Sequence, residues 1–232
     1  MKTGFDIHKI NGEGYLIIPL SMDRLSSGQD PKSCYKILDD FINKLETYSN
    51  DVIFLYTNGL YFNTVELSFE KRKKTNQQMI NHSMALRRLI KKRRKYIPNA
   101  FHFLPIDYII LNSEYFAELF AKLKKLERED KIFRNLLIKD SKNREYNEAN
   151  INFLLEEIVV AHIIRQGMVE FPRTLVKNDT WRLIAYPGIY LYSDVYQWNK
   201  NILIKKDKTN PYKGAQYDTT QKKIFIFDNI KP

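Results

Sequence analysis

The run Tyr15-Leu16-Ile17-Ile18-Pro19-Leu20 is short, rich in branched apolar residues, and bounded by Gly14 before it and a polar segment, residues 21–30, after it. That is how a strand buried on both faces reads. A helix signal follows at once: Asp30 is a good N-cap, Pro31 suits the first helical position, and Cys34, Ile37, Leu38, Phe41, Ile42 and Leu45 recur at helical spacing. Residues 52–56 form a second buried strand, closed by Asn58-Gly59. Two buried strands joined through a helix belong side by side in a parallel sheet.

The rest of the chain repeats the alternation. A long basic helix is expected over roughly residues 76–96, stopped by Pro98, and residues 101–104 begin another strand. Asn112-Ser113 can cap a long amphipathic helix that runs to about Leu126 and continues past a charged patch to Ile138; residues 139–147 read as a loop. A further helix spans residues 148–166 and ends at Gly167, and residues 181–192 and 224–227 supply late strands around a last helix. Strands alternating with helices predict an α/β fold, a single Rossmann-like domain over residues 1–232 with a mainly parallel sheet. No internal repeat and no Gly, Ser or Pro-rich linker divides it, and 44% hydrophobic with 28% charged residues excludes disordered and low-complexity classes.

Charge is localised. Of 38 Lys+Arg, 11 fall in residues 71–95, which hold no acidic residue, so the remainder balances at 27 against 27 Asp+Glu and the net +11 belongs to one stretch. On a helix, Arg87, Lys91, Arg94 and Lys95 form a stripe bordered by Arg88 and Lys92, while Leu86, Leu89, Ile90 and Ile97 lie opposite. Such a stripe is either a solvated face or a polyanion contact. Uncompensated like charges repel, which favours nucleic acid, and RNA phosphates read by shape suit it better than base edges do. The single Cys34 allows neither an internal disulfide nor a multi-thiolate metal site and fits a reducing cytoplasm. His8, His82, His102 and His162 are too dispersed for a zinc site, and no run approaches the ~18 apolar residues of a membrane span. We therefore expect no metal, no membrane and, without a long heptad pattern, a monomer.

Three residues are placed for chemistry. Ser21 follows directly on the first strand, at the carboxyl end where open α/β sheets bind ligands, with Ile17 and Pro19 on its face; it is either a nucleophile or a turn residue. It lacks the flanking glycines of a hydrolase elbow. Glu157 has Phe153, Leu154, Val160 and Ala161 at helical spacings of three and four, so its carboxylate points into an apolar face and calls for a cationic match, from the protein or from a ligand amine. Adjacent Glu156 is expected on the solvated side. Tyr186 precedes Pro187-Gly188 at a strand end, where a phenol can orient a serine or stabilise an oxyanion.

Together these features resemble the tRNA-dependent cyclodipeptide synthases over most of the chain, from about Gly14 to Gln197. In that family a strand of the form apolar-apolar-Gly-apolar-Ser delivers a nucleophilic serine, matched by Ile17-Ile18-Pro19-Leu20-Ser21 with Pro19 where Gly is common. A basic tRNA-binding helix follows the second strand, where Arg87 to Lys95 stand. An N-Y-x-x-x-E helix binds the substrate amine, matched by Asn152-Phe153-Leu154-Leu155-Glu156-Glu157 with Phe153 in place of Tyr, and Tyr186 matches a tyrosine near the serine. Arg24, three residues after the serine, and Pro187, after the tyrosine, place the chain with the subgroup that carries Tyr-Pro.

The resemblance implies a fold similar to class I aminoacyl-tRNA synthetase catalytic domains, although the H-I-G-H and K-M-S-K-S signatures for ATP are missing. It also implies an aminoacyltransferase that joins two aminoacyl-tRNAs into a diketopiperazine without a cofactor, with Ser21, Tyr186 and Glu157 catalytic. Phe153, Arg24 and Pro187 would then meet substrate. The first-residue pocket would be lined by Ile17, Pro19, Ile53, Leu55, Val160 and Ile184. The rival from another class is a noncatalytic RNA-binding module that uses the basic helix alone.

Overall fold

The structure, a computed structural model, describes residues 4–6, 10–42, 50–58, 69–92, 100–141, 146–186, 190–203 and 210–230. The elements of its first half are β1 (Gly4–Asp6), β2 (Glu13–Leu20), α1 (Pro31–Ile42), β3 (Asn50–Tyr56), α2 (Phe69–Lys92), β4 (Phe101–Pro105) and α3 (Asp107–Asn112). There follow α4 (Phe116–Glu129), α5 (Lys131–Asp140), α6 (Glu148–Gln166), β5 (Asp179–Tyr186), α7 (Tyr192–Asn199), β6 (Ala215–Asp218) and β7 (Lys223–Ile226).

The first strand-helix-strand unit forms as its pattern requires. β2 and β3 pair in parallel from Gly14 opposite Asn50 to Leu20 opposite Tyr56. Asp30 starts α1, its carboxylate accepting the Lys32 N–H at 2.9 Å and the Ser33 N–H at 3.3 Å. The whole sheet has the order β1-β7-β6-β5-β2-β3-β4. From β4 through β6 every pairing is parallel, whereas β7 runs antiparallel to β6 and to β1. Within the parallel set the chain winds from β2 outward through β3 and β4, then returns to the other side of β2 for β5 and β6. That is the doubly wound arrangement, with its topological switch point between β2 and β5.

Alternate residues of each strand feed two cores. Leu16, Ile18, Val52, Phe54 and Leu183 pack with Leu38 and Phe41 of α1 and Leu86 and Ile90 of α2; Ile17, Ile53, Leu55 and Ile184 pack with α4, α5 and α6 on the opposite face. α6 lies between the sheet and the α3 to α5 layer and is buried around almost its whole circumference. It is capped by Asn147, whose side chain accepts the Asn150 N–H at 3.1 Å, and stopped by Gly167 at φ +73°.

Several boundaries differ from the sequence expectation. α2 begins at Phe69, so residues 71–74 belong to the helix instead of preceding it; they are Lys and Arg, good helix formers, and no apolar residue between Phe69 and Met79 sets a phase to reveal them. Asn112-Ser113 does not cap the long helix: these residues close α3, and α4 starts at Phe116 after Tyr115. Asp130 splits the expected continuous helix by capping α5, its carboxylate accepting the Ile132 and Phe133 N–H groups at 2.8 and 3.1 Å. The late strand stops at Tyr186, and β1 and β6 were not anticipated because three or four residues carry too little pattern.

Asp51 anchors the segment between α6 and β5. Its buried carboxylate accepts the backbone N–H groups of Thr174, Leu175 and Val176 at 2.9, 3.1 and 3.2 Å and the His102 Nε2–H at 3.4 Å. Burial acts to raise its pKa, but the bonds from His102 and the three amides outweigh it and hold the group below its ordinary 3.8. A depressed carboxylate stabilises the fold above its unfolded pKa, and that contribution is lost as pH falls through the folded value. Asp51→Ala should destabilise by about 2–4 kcal/mol at pH 7 in urea unfolding, and by progressively less as pH is lowered below about 4. An unchanged midpoint at pH 7 would remove Asp51 as the anchor.

Candidate active site at the switch point

The switch point opens because β2 leaves one neighbour before the other. Its pairing with β5 ends at Ile17 opposite Ile184, while its pairing with β3 continues to Leu20. Pro19 sits where the strands part. The Leu20 carbonyl turns toward β3 and accepts the Thr57 N–H at 2.9 Å, so Pro19's backbone faces β5, where no ladder bond is needed from the N–H that proline lacks. Ser21 and Tyr186, the residues after and at the ends of β2 and β5, stand on the two lips of this crevice. Continued alternation places both on the α6 face.

The loop after β2 is a closed hydrogen-bonded unit. The Arg24 N–H donates to the Ser21 carbonyl, and the Ser27 and Gln29 N–H groups donate to the Arg24 carbonyl, at 3.0, 3.0 and 3.1 Å. Gln29, 5% exposed, folds back so that its side-chain oxygen accepts the Ser21 N–H at 2.7 Å while its amide reaches the Pro19 carbonyl at 3.5 Å. Gly28 at φ +79° makes this reversal possible. The Ser21 hydroxyl makes no capping bond to the short 3-10 turn Met22–Arg24. The turn is closed through the Ser21 carbonyl by the Arg24 N–H, and the serine hydroxyl is not spent on it.

Tyr186, Glu157 and Arg24 share one electrostatic environment. The Tyr186 phenol is pushed above its ordinary 10.0, first by burial and then by the negative charge of Glu157, with Arg24 opposing. It is protonated at neutral pH and can donate a hydrogen bond. Glu157 is partly exposed, but Glu156, expected on the solvated side, is 0% exposed. The expectation failed because the less covered side of α6 is the one that carries Phe153, Glu157 and Ala161, and Glu156 turns into the packed side. Beneath the crevice, Ile17, Ile53, Leu55, Val160 and Ile184 are buried in one apolar cluster with Phe153 packed against it, and Pro19 is half-buried above it. Pro187 lies outside the described residues.

α2 carries the cationic face. Met79, His82, Leu86 and Ile90 turn inward, while Arg72, Lys73, Lys74, Arg87, Arg88, Lys91 and Lys92 are exposed. Arg87 is partly committed, its guanidinium lying 4.3 Å over the Phe103 ring. Arg94 and Lys95 lie outside the described residues. A separate open cavity of about 500 Å³ lies on α4, lined by Phe120, Lys124, Lys125 and Arg128 among others, and contains none of the predicted site residues.

No protein-family model and no curated protein matches the sequence. Solved structures do. A CDPS from Staphylococcus haemolyticus superposes with a TM-score of 0.54 at 15% identity, over 84% of this chain and 86% of that one. A CDPS from Fluoribacter dumoffii gives 0.56 at 10% identity, over 83% and 87%. A Mycobacterium tuberculosis protein, described as demonstrating that cyclodipeptide synthetases are related to type I tRNA-synthetases, gives 0.51 at 12% identity, over 85% and 82%. The fold is that of the cyclodipeptide synthases.

On this cyclodipeptide-synthase fold, sequence reading missed the supports of Ser21. In the sequence Gln29 is one more polar loop residue, and the spacing of the histidines speaks only to metal binding. His82 proves to be a buried link between α2 and the Ser21 loop. His102 bonds Asp51, and His162 is buried against Trp198 with its pKa pushed down to about 4 by burial. His8 is outside the described residues. Two signals were available: His82 falls in helical phase between Met79 and Leu86, and Gln29 follows a glycine and precedes the helix cap. Among the described residues no helix is long and apolar enough to cross a membrane.

Proposed function

We propose that the chain is a tRNA-dependent cyclodipeptide synthase of the Tyr-Pro subgroup, acting as a monomeric single domain in the cytoplasm on two aminoacyl-tRNAs. The observation that carries this is the switch-point crevice: Ser21, with its hydroxyl unspent by the turn, and Tyr186 stand at the ends of adjacent strands, the Glu157 charge acts on the Tyr186 phenol, and the cationic α2 is bonded to the serine loop. Its likeness in fold to cyclodipeptide synthases gives the reaction class.

In the first step the Ser21 oxygen attacks the ester carbonyl of one aminoacyl-tRNA. A seryl ester forms, the bond to the tRNA ribose breaks, and the serine proton ends on the released tRNA hydroxyl. The amine of this aminoacyl-enzyme then attacks the second aminoacyl-tRNA, releasing its tRNA and leaving a dipeptidyl ester on Ser21. The free terminal amine closes on that ester, forming the diketopiperazine and restoring the serine. Each ester is already activated, so no ATP or Ser-His-Asp triad is required. Glu157 holds the ammonium group of the first residue and thereby sets its carbonyl against Ser21. The protonated Tyr186 hydroxyl donates to the developing oxyanion. Phe153 leaves Glu157 as the main group for the amine, while the Ile17, Pro19, Ile53, Leu55, Val160 and Ile184 walls, with Arg24 at the rim, receive the side chain.

The test is to express the chain in a bacterium and search the medium for cyclodipeptides by mass spectrometry. Diketopiperazines absent from a vector control are expected. Their absence, with soluble protein that binds tRNA, would leave the noncatalytic RNA-binding module instead.

A further inference from the structure

His82 sits on the inner face of α2, 6% exposed, and spans two elements of the sheet's carboxyl edge. Its Nε2 lies 2.8 Å from the Gln29 carbonyl and its Nδ1 lies 2.8 Å from the Tyr56 hydroxyl at the end of β3. A carbonyl only accepts, so the ring proton is on Nε2, and in the neutral ring Nδ1 accepts from the Tyr56 O–H. Burial lowers the His82 pKa below its ordinary 6.5, against the Gln29 bond and the nearby Asp30 carboxylate, which keeps the ring neutral at pH 7. Burial raises that of Tyr56, which keeps its hydroxyl a donor. The same Gln29 whose carbonyl is held by His82, and by the Cys34 thiol at 3.2 Å, holds the Ser21 N–H with its side chain.

We infer that His82 is a positioning residue for Ser21: the chain Tyr56 to His82 to Gln29 to Ser21 ties the nucleophile's backbone to the helix that carries the cationic face. The nucleophile and the RNA-binding surface thereby move as one body, so an aminoacyl-tRNA seated on α2 meets Ser21 at a fixed distance. The role differs from that of the cationic residues, which face outward, and from Tyr186 and Glu157, which face the substrate. This inference rests on the proposed aminoacyl transfer for its catalytic consequence, but the linkage itself is physical.

Two measurements on the full chain separate them. In single-turnover acylation of Ser21 by labelled aminoacyl-tRNA, His82→Ala should slow the step about 10- to 100-fold, the scale of a small misplacement of a reacting group, with tRNA affinity within about twofold of wild type. His82→Gln, whose amide nitrogen can reach the Gln29 carbonyl, should recover most of the rate. In hydrogen exchange, the peptide covering residues 21–30 should lose protection in His82→Ala and regain it in His82→Gln. Acylation at the wild-type rate in His82→Ala, or unchanged exchange in that peptide, would overturn the assignment. So would a failure of His82→Gln to rescue while its melting temperature matches wild type. If the wild-type chain accepts no aminoacyl group, the function reading fails instead, and the exchange data still decide whether His82 holds the loop.

Discussion

Ser21→Ala should abolish the covalent aminoacyl-enzyme and reduce cyclodipeptide formation by at least about 10³-fold, leaving tRNA affinity within about twofold of wild type. The size of the effect follows from chemistry: without the oxygen there is no ester to hold the first amino acid while the second arrives. The selectivity follows from the fold. The Ser21 backbone, not its hydroxyl, carries the loop's hydrogen bonds, through the Gln29 side chain and the Arg24 N–H. Alanine keeps both, so the variant should melt within a few degrees of wild type. The decisive measurement is intact-protein mass spectrometry after mixing with charged tRNA. An acyl adduct persisting in Ser21→Ala would place the nucleophile elsewhere.

The second large effect concerns α2. Replacing Arg88, Lys91 and Lys92 together with Glu should weaken tRNA binding at least about 100-fold at physiological salt. If roughly five phosphates are contacted, the wild-type slope of log affinity against log salt is about −4, and removing three contacts should bring it to about −2. These three side chains are exposed on the described end of α2, so their replacement leaves the inner row of Met79, His82, Leu86 and Ile90 intact. Arg87 is left out of the set because its contact with Phe103 would confuse a loss of binding with a loss of packing. Unchanged affinity and slope would move the RNA surface to another face, of which the Lys124, Lys125 and Arg128 side of α4 is the first to examine.

The basic segment shows how far local pattern reaches. Eleven cations without an acid between residues 71 and 95 predict a cationic surface whatever the fold. The helix extends further than its pattern predicts because residues 70–78 hold no apolar residue and so no periodicity, whereas in the structure they simply continue from the packed part. Ser21 and Tyr186 were legible for a related reason. Ser21 directly follows a strand with a clear start and stop, Tyr186 precedes the Pro187-Gly188 strand breaker, and strand ends in a doubly wound sheet share one edge. For the two carboxylates of α6 the sequence reading is reversed, Glu156 being buried and Glu157 partly exposed, because the less covered side of the helix carries the apolar Phe153 and Ala161 and so does not read as a solvated face.

By itself the sequence determined the parallel strand-helix-strand core, the two strand ends that carry Ser21 and Tyr186, and the localisation of all net charge in residues 71–95. These are properties of spacing along the chain, and spacing is what sequence records. Only the tertiary structure decided that β2 and β5 part at Pro19, that the Gln29 side chain holds the Ser21 N–H, and that His82 ties this loop to α2. Those depend on meetings between residues from 8 positions apart, as Ser21 and Gln29 are, to 167 apart, as Ile17 and Ile184 are. No local pattern encodes such meetings, because they exist only once the sheet order has brought the elements together.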